Sequence, residues 1–462
     1  MLFHSTRGKD SDKTFEEVLM QGLAKDGGLF MPNHWPKIDI EELRHFDNFI
    51  DVAKHIVPLF TDSSFSKIEV ENLLDKTWHD FDKKDLINIF EIDESISILE
   101  LFHGPTSAFK DFGLQLAAAF FNKTLQTQNK TAVVFGATSG DTGSAAIDAC
   151  KEFSLIKSFI LIPEGNMSEI QRKQMTTVDK ENVFPILANG TFDDCQDIVK
   201  KGFKERTFLK DNQYLLAVNS INWVRIIGQI CYYFYVSLKI NKLSEPLNFS
   251  VPTGNFGNVF ACYAASKMGM PLSKIVVAVN SNNILDRFFK NNDYSKMQVN
   301  ETISPSMDIS VASNFERLLY DFYLNRDSKK CSDHYTHFLN NGIKIDEKVW
   351  KKSSELFLSY CINDDSTYEC MQHFSENFNY IMDPHTAVAA KAAIKLNKTL
   401  SNKTVILSTA HPAKFPTALE NAGINLDNIP KNLEKVLSMT EVDYKLSVSE
   451  DSIFNFIKEK NK

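Results

Sequence analysis

From Thr131 onward, short β-rich runs alternate with longer helical patterns, and this alternation constrains the fold more than any other feature of the chain. Thr131 to Phe135 reads as a buried strand and Ser144 to Lys151 as the helix after it. Ser158 to Ile162, Asn182 to Leu187 and Tyr214 to Val218 read as further strands, the last followed by a long helix from about Asn222 to Leu238. Leu247 to Val251, Ile275 to Val279 and Thr404 to Leu407 continue the series. Strands separated by helices can pair only through crossovers, so the expectation is an α/β fold of largely parallel sheets flanked by helices.

The first hundred residues break the pattern. Glu16 to Ala24, Glu41 to His45 and Ser66 to Trp78 look helical, with few strand signals between them. Between about Asn291 and Phe378 the chain turns polar and helical, which predicts an insertion or a solvent-facing layer. The 462 residues are enough for two or three cores. We therefore expect a mostly helical region over 1–95, a smaller α/β unit over 96–215 and a larger one over 216–462, with the helical insertion near 291–378.

Charge narrows the partners. A formal net charge of −8 argues against a mainly electrostatic nucleic-acid binder. The richest apolar stretch, Ile226 to Ile240, carries Gln229 and Lys239 and falls short of a membrane span. The start, Met1 to Arg7, has no apolar core of a secretion signal. The seven cysteines, Cys150, Cys195, Cys231, Cys262, Cys331, Cys361 and Cys370, lie at neither metal nor paired spacing. They predict reduced thiols in a cytoplasmic protein and no metal site.

Three turns follow predicted strands, and in open α/β sheets ligands collect beyond the carboxyl ends of strands. Phe135 to Gly143 carries Gly136, Gly140 and Gly143 with Thr138, Ser139 and Thr142. Such a turn lets backbone approach a ligand while hydroxyls and free amides bind an anion; a tight turn with a capping hydroxyl is the alternative. Val251 to Asn258 suits a phosphate cup of backbone N–H groups at a helix start. It lacks both the Lys-Ser/Thr ending of a P-loop and the spacing of a dinucleotide fingerprint, which disfavours a nucleotide. Ser408 to Phe415 places a hydroxyl at a strand end, or a cap before Pro412. A fourth segment, His103 to Gly113, leads through Gly104-Pro105 to Lys110 at the head of the apolar run Leu114 to Phe121. Desolvation favours the neutral amine needed for covalent chemistry, although many lysines beside apolar residues snorkel to solvent.

Together these segments resemble threonine synthase, within the tryptophan-synthase-β-like group of pyridoxal-phosphate enzymes (fold type II). The resemblance extends to Ser5 to Gly8, Gln21 to Phe30, Asn219 to Trp223, Gln229 to Phe234 and Asp383 to Val388. The helical N-terminal region and the long Lys110 segment resemble the fungal and Gram-negative-type branch; little matches from about Tyr323 to Tyr380. The resemblance implies Lys110 at the Schiff-base position, Gly254, Asn255, Phe256, Gly257 and Asn258 around the cofactor phosphate, and Thr409 facing the pyridine nitrogen. Asp141 stands beside the ring where relatives often carry asparagine, and ranks lower as a candidate. Ser139, Thr142, Asn222 and Arg225 are the candidates for the substrate phosphate, against a reading of Arg225 as an exposed helix residue.

The implied activity is that of a carbon–oxygen lyase acting on phosphates. It converts O-phospho-L-homoserine and water to L-threonine and phosphate by γ-elimination and β-addition, with pyridoxal 5'-phosphate as cofactor and Lys110 as the base at Cα. One rival is a threonine-synthase-like phospho-lyase releasing a keto acid, ammonia and phosphate; another is a non-catalytic nucleotide-binding module. Whether the protein is a monomer or a homodimer stays open.

Overall fold

The computed structural model describes residues 1–82, 86–138, 140–163, 165, 167–397 and 399–462. At the N-terminal end, β1 (Phe3–Ser5) and β2 (Phe30–Pro32) pair antiparallel, with α1 (Phe15–Gln21) between them. Helices α2 (Ile40–Leu43), α3 (Phe49–Ile56) and α4 (Lys67–Leu74) follow. Asp39, Asn48 and Ser66 accept hydrogen bonds from first-turn amides, which fixes where these three helices begin. Next come β3 (Asn88–Glu91), β4 (Ile96–Glu100) and α5 (Lys110–Gln128). The alternating series runs β5 (Thr131–Ala137), α6 (Asp141–Cys150), β6 (Ile156–Pro163), α7 (Glu169–Thr176), β7 (Val183–Asn189) and β8 (Gln213–Leu216). It continues through α8 (Trp223–Asn241), β9 (Leu247–Pro252), α9 (Gly257–Met268), β10 (Leu272–Val279), β11 (Phe357–Cys361), α10 (Pro384–Asn397), β12 (Thr404–Ser408) and β13 (Tyr444–Ser447).

Two parallel-type sheets carry the body. One has the order β11-β10-β9-β12-β4-β3, the other β13-β7-β6-β5-β8. Every pairing in both is parallel except β3 with β4. The expected α/β class therefore holds, and each strand anticipated from Thr131 onward is present within a few residues of its expected bounds.

Several expectations need correction. The region before residue 100 holds four strands as well as helices, and β4 is buried along its whole length between β12 and β3. The polar stretch near 291–378 is not purely helical, because β11 closes one edge of the six-stranded sheet against β10. Nor do the sheets divide the chain at single points. β4, inside the expected 96–215 unit, pairs with β12, and β13, inside the expected 216–462 unit, pairs with β7. Parallel pairing joins whichever ladders meet in space, so sheet membership need not follow chain order.

The two longest helices, α5 and α8, pack against each other. In α8 every residue from Trp223 to Leu238 is buried, as expected of a helix that is apolar all round and enclosed by core. It crosses α5 at close range. A Cβ on Gly113 would lie 3.1 Å from Arg225 Cα, and one on Gly228 would lie 3.0 Å from the Phe112 carbonyl. This crossing brings the first turn of α8, with Arg225, against the first turns of α5, with Lys110. Among the described residues, no helix is long and apolar enough to cross a membrane.

Candidate active site

Lys110 opens α5, and the backbone before it is stitched to the end of β12. The Phe109 amide donates to the Thr409 carbonyl (2.8 Å), and the His411 amide donates to the Ser107 carbonyl (3.0 Å). Ala108 and Ala410 form an antiparallel bridge. The chain enters this pairing through Ser107, held in the left-handed region at φ +55°. The segments carrying Lys110 and Thr409, remote in sequence, are thus one local structure.

Lys110 is only 9% exposed, and its Nζ lies 3.3 Å from Asp141 Oδ2. Burial lowers the pKa of Lys110; the Asp141 carboxylate opposes that shift, while the charges of Lys414 and Arg225 reinforce it. Burial alone would raise the pKa of Asp141, but Lys414 and Lys110 hold its carboxyl well below the usual range. Asp141 Oδ1 accepts from Lys414 Nζ (2.7 Å) and from Gln171 Nε2 (3.0 Å). Beside Lys110, the Asp111 carboxyl is pushed up to about 7 by burial and by Asp148, against hydrogen bonds from Thr106.

The loop after β9 forms a cradle. Phe256 sits at φ +64° as the N-cap of α9 and gives the helix no side-chain cap, so first-turn amides are left for an anion. Asn255 is pinned: its carbonyl accepts from the Asn314 amide (3.0 Å) and Asn314 Nδ2 (3.1 Å), and its Oδ1 accepts from Ser313 (3.1 Å). Asn258 Oδ1 accepts from Tyr232 and Tyr233, while its Nδ2 is buried with no partner among the described residues. Gly254 has no room for a side chain, because a Cβ there would lie 2.7 Å from the Ser306 carbonyl and 3.1 Å from Met307 Cα. Gly254→Ala is accordingly expected to displace the loop and weaken cofactor phosphate binding by at least about tenfold, on the scale of overpacking costs of roughly 1–3 kcal/mol. Titration of cofactor-free protein with pyridoxal phosphate measures this, and an unchanged affinity would contradict the cradle assignment.

Thr409 follows directly on β12, nearly buried, and its hydroxyl makes no hydrogen bond to a described residue. Its amide donates to Thr386 Oγ1 (3.3 Å). Asp383 organises this corner: its carboxylate accepts from the His385 amide (2.9 Å) and from the Thr386 hydroxyl, and lies 2.8 Å from His385 Nδ1. His385 Nε2 in turn accepts from the Ser306 amide (3.2 Å), the residue packed over Gly254. One buried carboxylate thereby couples the loop after β9 to the strand end bearing Thr409. The sequence contained Asp383-Pro384-His385-Thr386 as a matching segment, but nothing in the spacing revealed what it connects.

The proposed substrate-phosphate residues fare unequally. Ser139 lies outside the described residues. Thr142 is partly exposed in the first turn of α6, whose N-cap, Gly140, supplies no side-chain cap. Thr138 shapes this loop by accepting from the amides of Gly140 (3.2 Å) and Gly143 (2.9 Å). Arg225 is not an exposed helix residue: it is 3% exposed. Its Nη1 donates to the Val218 carbonyl (3.2 Å), and its Nε is buried without a partner among the described residues. Burial pushes its pKa down to about 10. Asn222, by contrast, is engaged elsewhere: its Oδ1 caps α8 at the Val224 amide and its Nδ2 donates to the Leu19 carbonyl (2.9 Å). An asparagine just before an apolar helix is first of all an N-cap. Sequence reasoning missed Lys414, Gln171 and Asp383; Lys414 lay in a quoted loop, and its burial could not be read there.

The donor set fits pyridoxal phosphate: a buried amine for the aldehyde, an uncapped helix start with an orphaned amide for the phosphate, and a free hydroxyl for the ring nitrogen. Comparison with known proteins agrees. The family described as pyridoxal-phosphate dependent enzyme matches residues 91–333, threonine synthase N terminus matches 2–78, and threonine synthase, C-terminal matches 386–457. A threonine synthase of Pseudomonas aeruginosa is 41% identical, covering 92% of this chain and 91% of its own. The crystal structure of pyridoxal-phosphate-bound threonine synthase from Brucella melitensis superposes with a TM-score of 0.94 at 34% identity, covering 100% of this chain and 99% of that one. The yeast threonine synthase structure gives 0.93 at 36% identity, covering 100% and 98%.

Proposed function

The chain belongs to the threonine synthase family of pyridoxal-phosphate-dependent enzymes, and we propose from that premise that it converts O-phospho-L-homoserine and water into L-threonine and phosphate, with Lys110 as the covalent anchor of the cofactor. What supports this reading is one buried amine together with two candidate anion sites. One is the uncapped start of α9 with the Gly254–Asn258 cradle; the other is the uncapped start of α6 with Arg225, whose Nε has no partner among the described residues. A phosphorylated cofactor and a phosphorylated substrate need such a pair.

Bound there, pyridoxal phosphate supplies an electron sink for charge developing on the substrate carbons. The protein supplies orientation and proton movement. The first-turn amides of α9 and Asn258 Nδ2 hold the cofactor phosphate. Thr409 offers its hydroxyl to the ring nitrogen, a hydrogen bond that imposes no charge. Arg225 and the α6 start, with Ser139 and Thr142, bind the phosphate that leaves, and stabilise it as negative charge accumulates. Lys110 Nζ takes the proton from the substrate Cα and later returns it, a role that requires the neutral amine favoured by burial. The enclosure of Lys110 and Asp141 limits water to the step in which it adds. We also place the protein in the cytoplasm, a reading supported by seven dispersed free cysteines.

A keto-acid-forming phospho-lyase would use the same residues but release ammonia. Phosphorus and proton NMR of the products from O-phosphohomoserine separates the two. Threonine and phosphate in equal amounts are expected, whereas a keto acid with ammonia as the main products would sink the synthase reading.

A further inference from the structure

Asp141 is contested by two lysines. Lys414 closes the short 3-10 turn Pro412–Lys414 after the strand end bearing Thr409, and it is fully buried. A lysine is almost never fully buried unless paired. Its ammonium donates to Asp141 Oδ1 at 2.7 Å and to the Thr106 carbonyl at 2.8 Å. Lys110 reaches only the other oxygen, Oδ2, at 3.3 Å. Gln171 adds a third donor on the Oδ1 side at 3.0 Å. The shorter, better-supported contact belongs to Lys414.

We propose that Lys414 is a positioning residue for Lys110: by engaging Asp141 it prevents the carboxylate from capturing the Lys110 ammonium, and so leaves the Lys110 amine free for covalent chemistry. This rests on the reading of Lys110 as the cofactor anchor. A lone aspartate 3.3 Å from the anchor would favour the protonated lysine, which is not a nucleophile. With Lys414 bound, the Asp141 charge is largely matched before Lys110 is counted. The charged groups facing Lys110 are Asp141 from α6, Lys414 from the 412–414 turn and Arg225 from α8. Burial and the two cations all act against a charged Lys110, and Asp141 alone favours it.

The test uses cofactor-free protein and the pH dependence of Lys110 acetylation by acetic anhydride, read by peptide mass spectrometry. Lys414→Met is expected to raise the Lys110 midpoint by about 1 to 3 pH units, because Asp141 is then left to Lys110. In an Asp141→Asn background the same substitution is expected to move the midpoint far less, since Lys414 acts through Asp141. A merely structural role for Lys414 would not produce this background dependence. An unmoved midpoint overturns the proposal, and so does an equal rise in both backgrounds, which would mean direct repulsion alone. If Lys414→Met does not fold, Lys414→Gln keeps a donor for Thr106 and Asp141 without the charge and is read by the same criteria. Trapping the cofactor on a different lysine would defeat the anchor reading instead, and leave the midpoint result standing as a fact about Asp141.

Discussion

Replacing Lys110 by alanine is expected to abolish covalent attachment of the cofactor and to lower turnover of O-phosphohomoserine by at least about 10²- to 10⁴-fold, the usual worth of a positioned general base. The variant should still fold, because Asp141 keeps Lys414 at 2.7 Å and Gln171 at 3.0 Å and is not left as an unpaired buried charge. It should also still bind pyridoxal phosphate non-covalently, since the α9 cradle involves no atom of Lys110. Absorbance of the lysine-bound cofactor, together with a phosphate-release assay, checks both halves. A variant that retains the lysine-bound spectrum would mean that the cofactor is anchored elsewhere.

Arg225→Met is expected to move stability and activity in opposite directions. In the free protein this guanidinium has one hydrogen bond to Val218 and a buried Nε without a partner among the described residues. Its burial is therefore poorly compensated, and the pKa pushed down to about 10 reports the same penalty. Methionine of similar length should stabilise the cofactor-free protein by roughly 1–4 kcal/mol, the range seen when buried charged groups give way to apolar ones. With the unpaired Nε serving the substrate phosphate, kcat/KM should fall by about 2–5 kcal/mol of transition-state stabilisation, roughly 30- to 5,000-fold. Thermal unfolding of the cofactor-free protein and steady-state kinetics measure the two effects. A variant that is both less stable and fully active would show that Arg225 supports the α5–α8 crossing and nothing else.

What was legible in the sequence follows from physics that acts locally. Strands such as β5 and β6 have buried centres that read as short apolar runs, Ala132 to Phe135 and Phe159 to Ile162. The glycine loops were legible because close backbone approach demands glycine, as Gly254 under Ser306 shows. The edge strands β11 and β13 were not: they are partly exposed and only five and four residues long, too short to stand out from the helices around them. Arg225 was ambiguous for a related reason: a helix buried all round has no polar face, so periodicity does not say which way a residue points. Asn222 was ambiguous because its value as an N-cap and its value as a ligand predict the same residue at the same place. The contacts of Asp141 with Lys414, and of His385 with Ser306, depend on tertiary docking of segments remote in sequence.

The central claim is that Lys110 is the anchor around which the two anion sites are arranged. Reduction of the pyridoxal-phosphate-loaded wild-type protein with borohydride, followed by peptide mapping, tests it most directly. The account predicts a single phosphopyridoxyl group on the peptide containing Phe109-Lys110-Asp111; recovery of that group on another lysine, or on none, would contradict it.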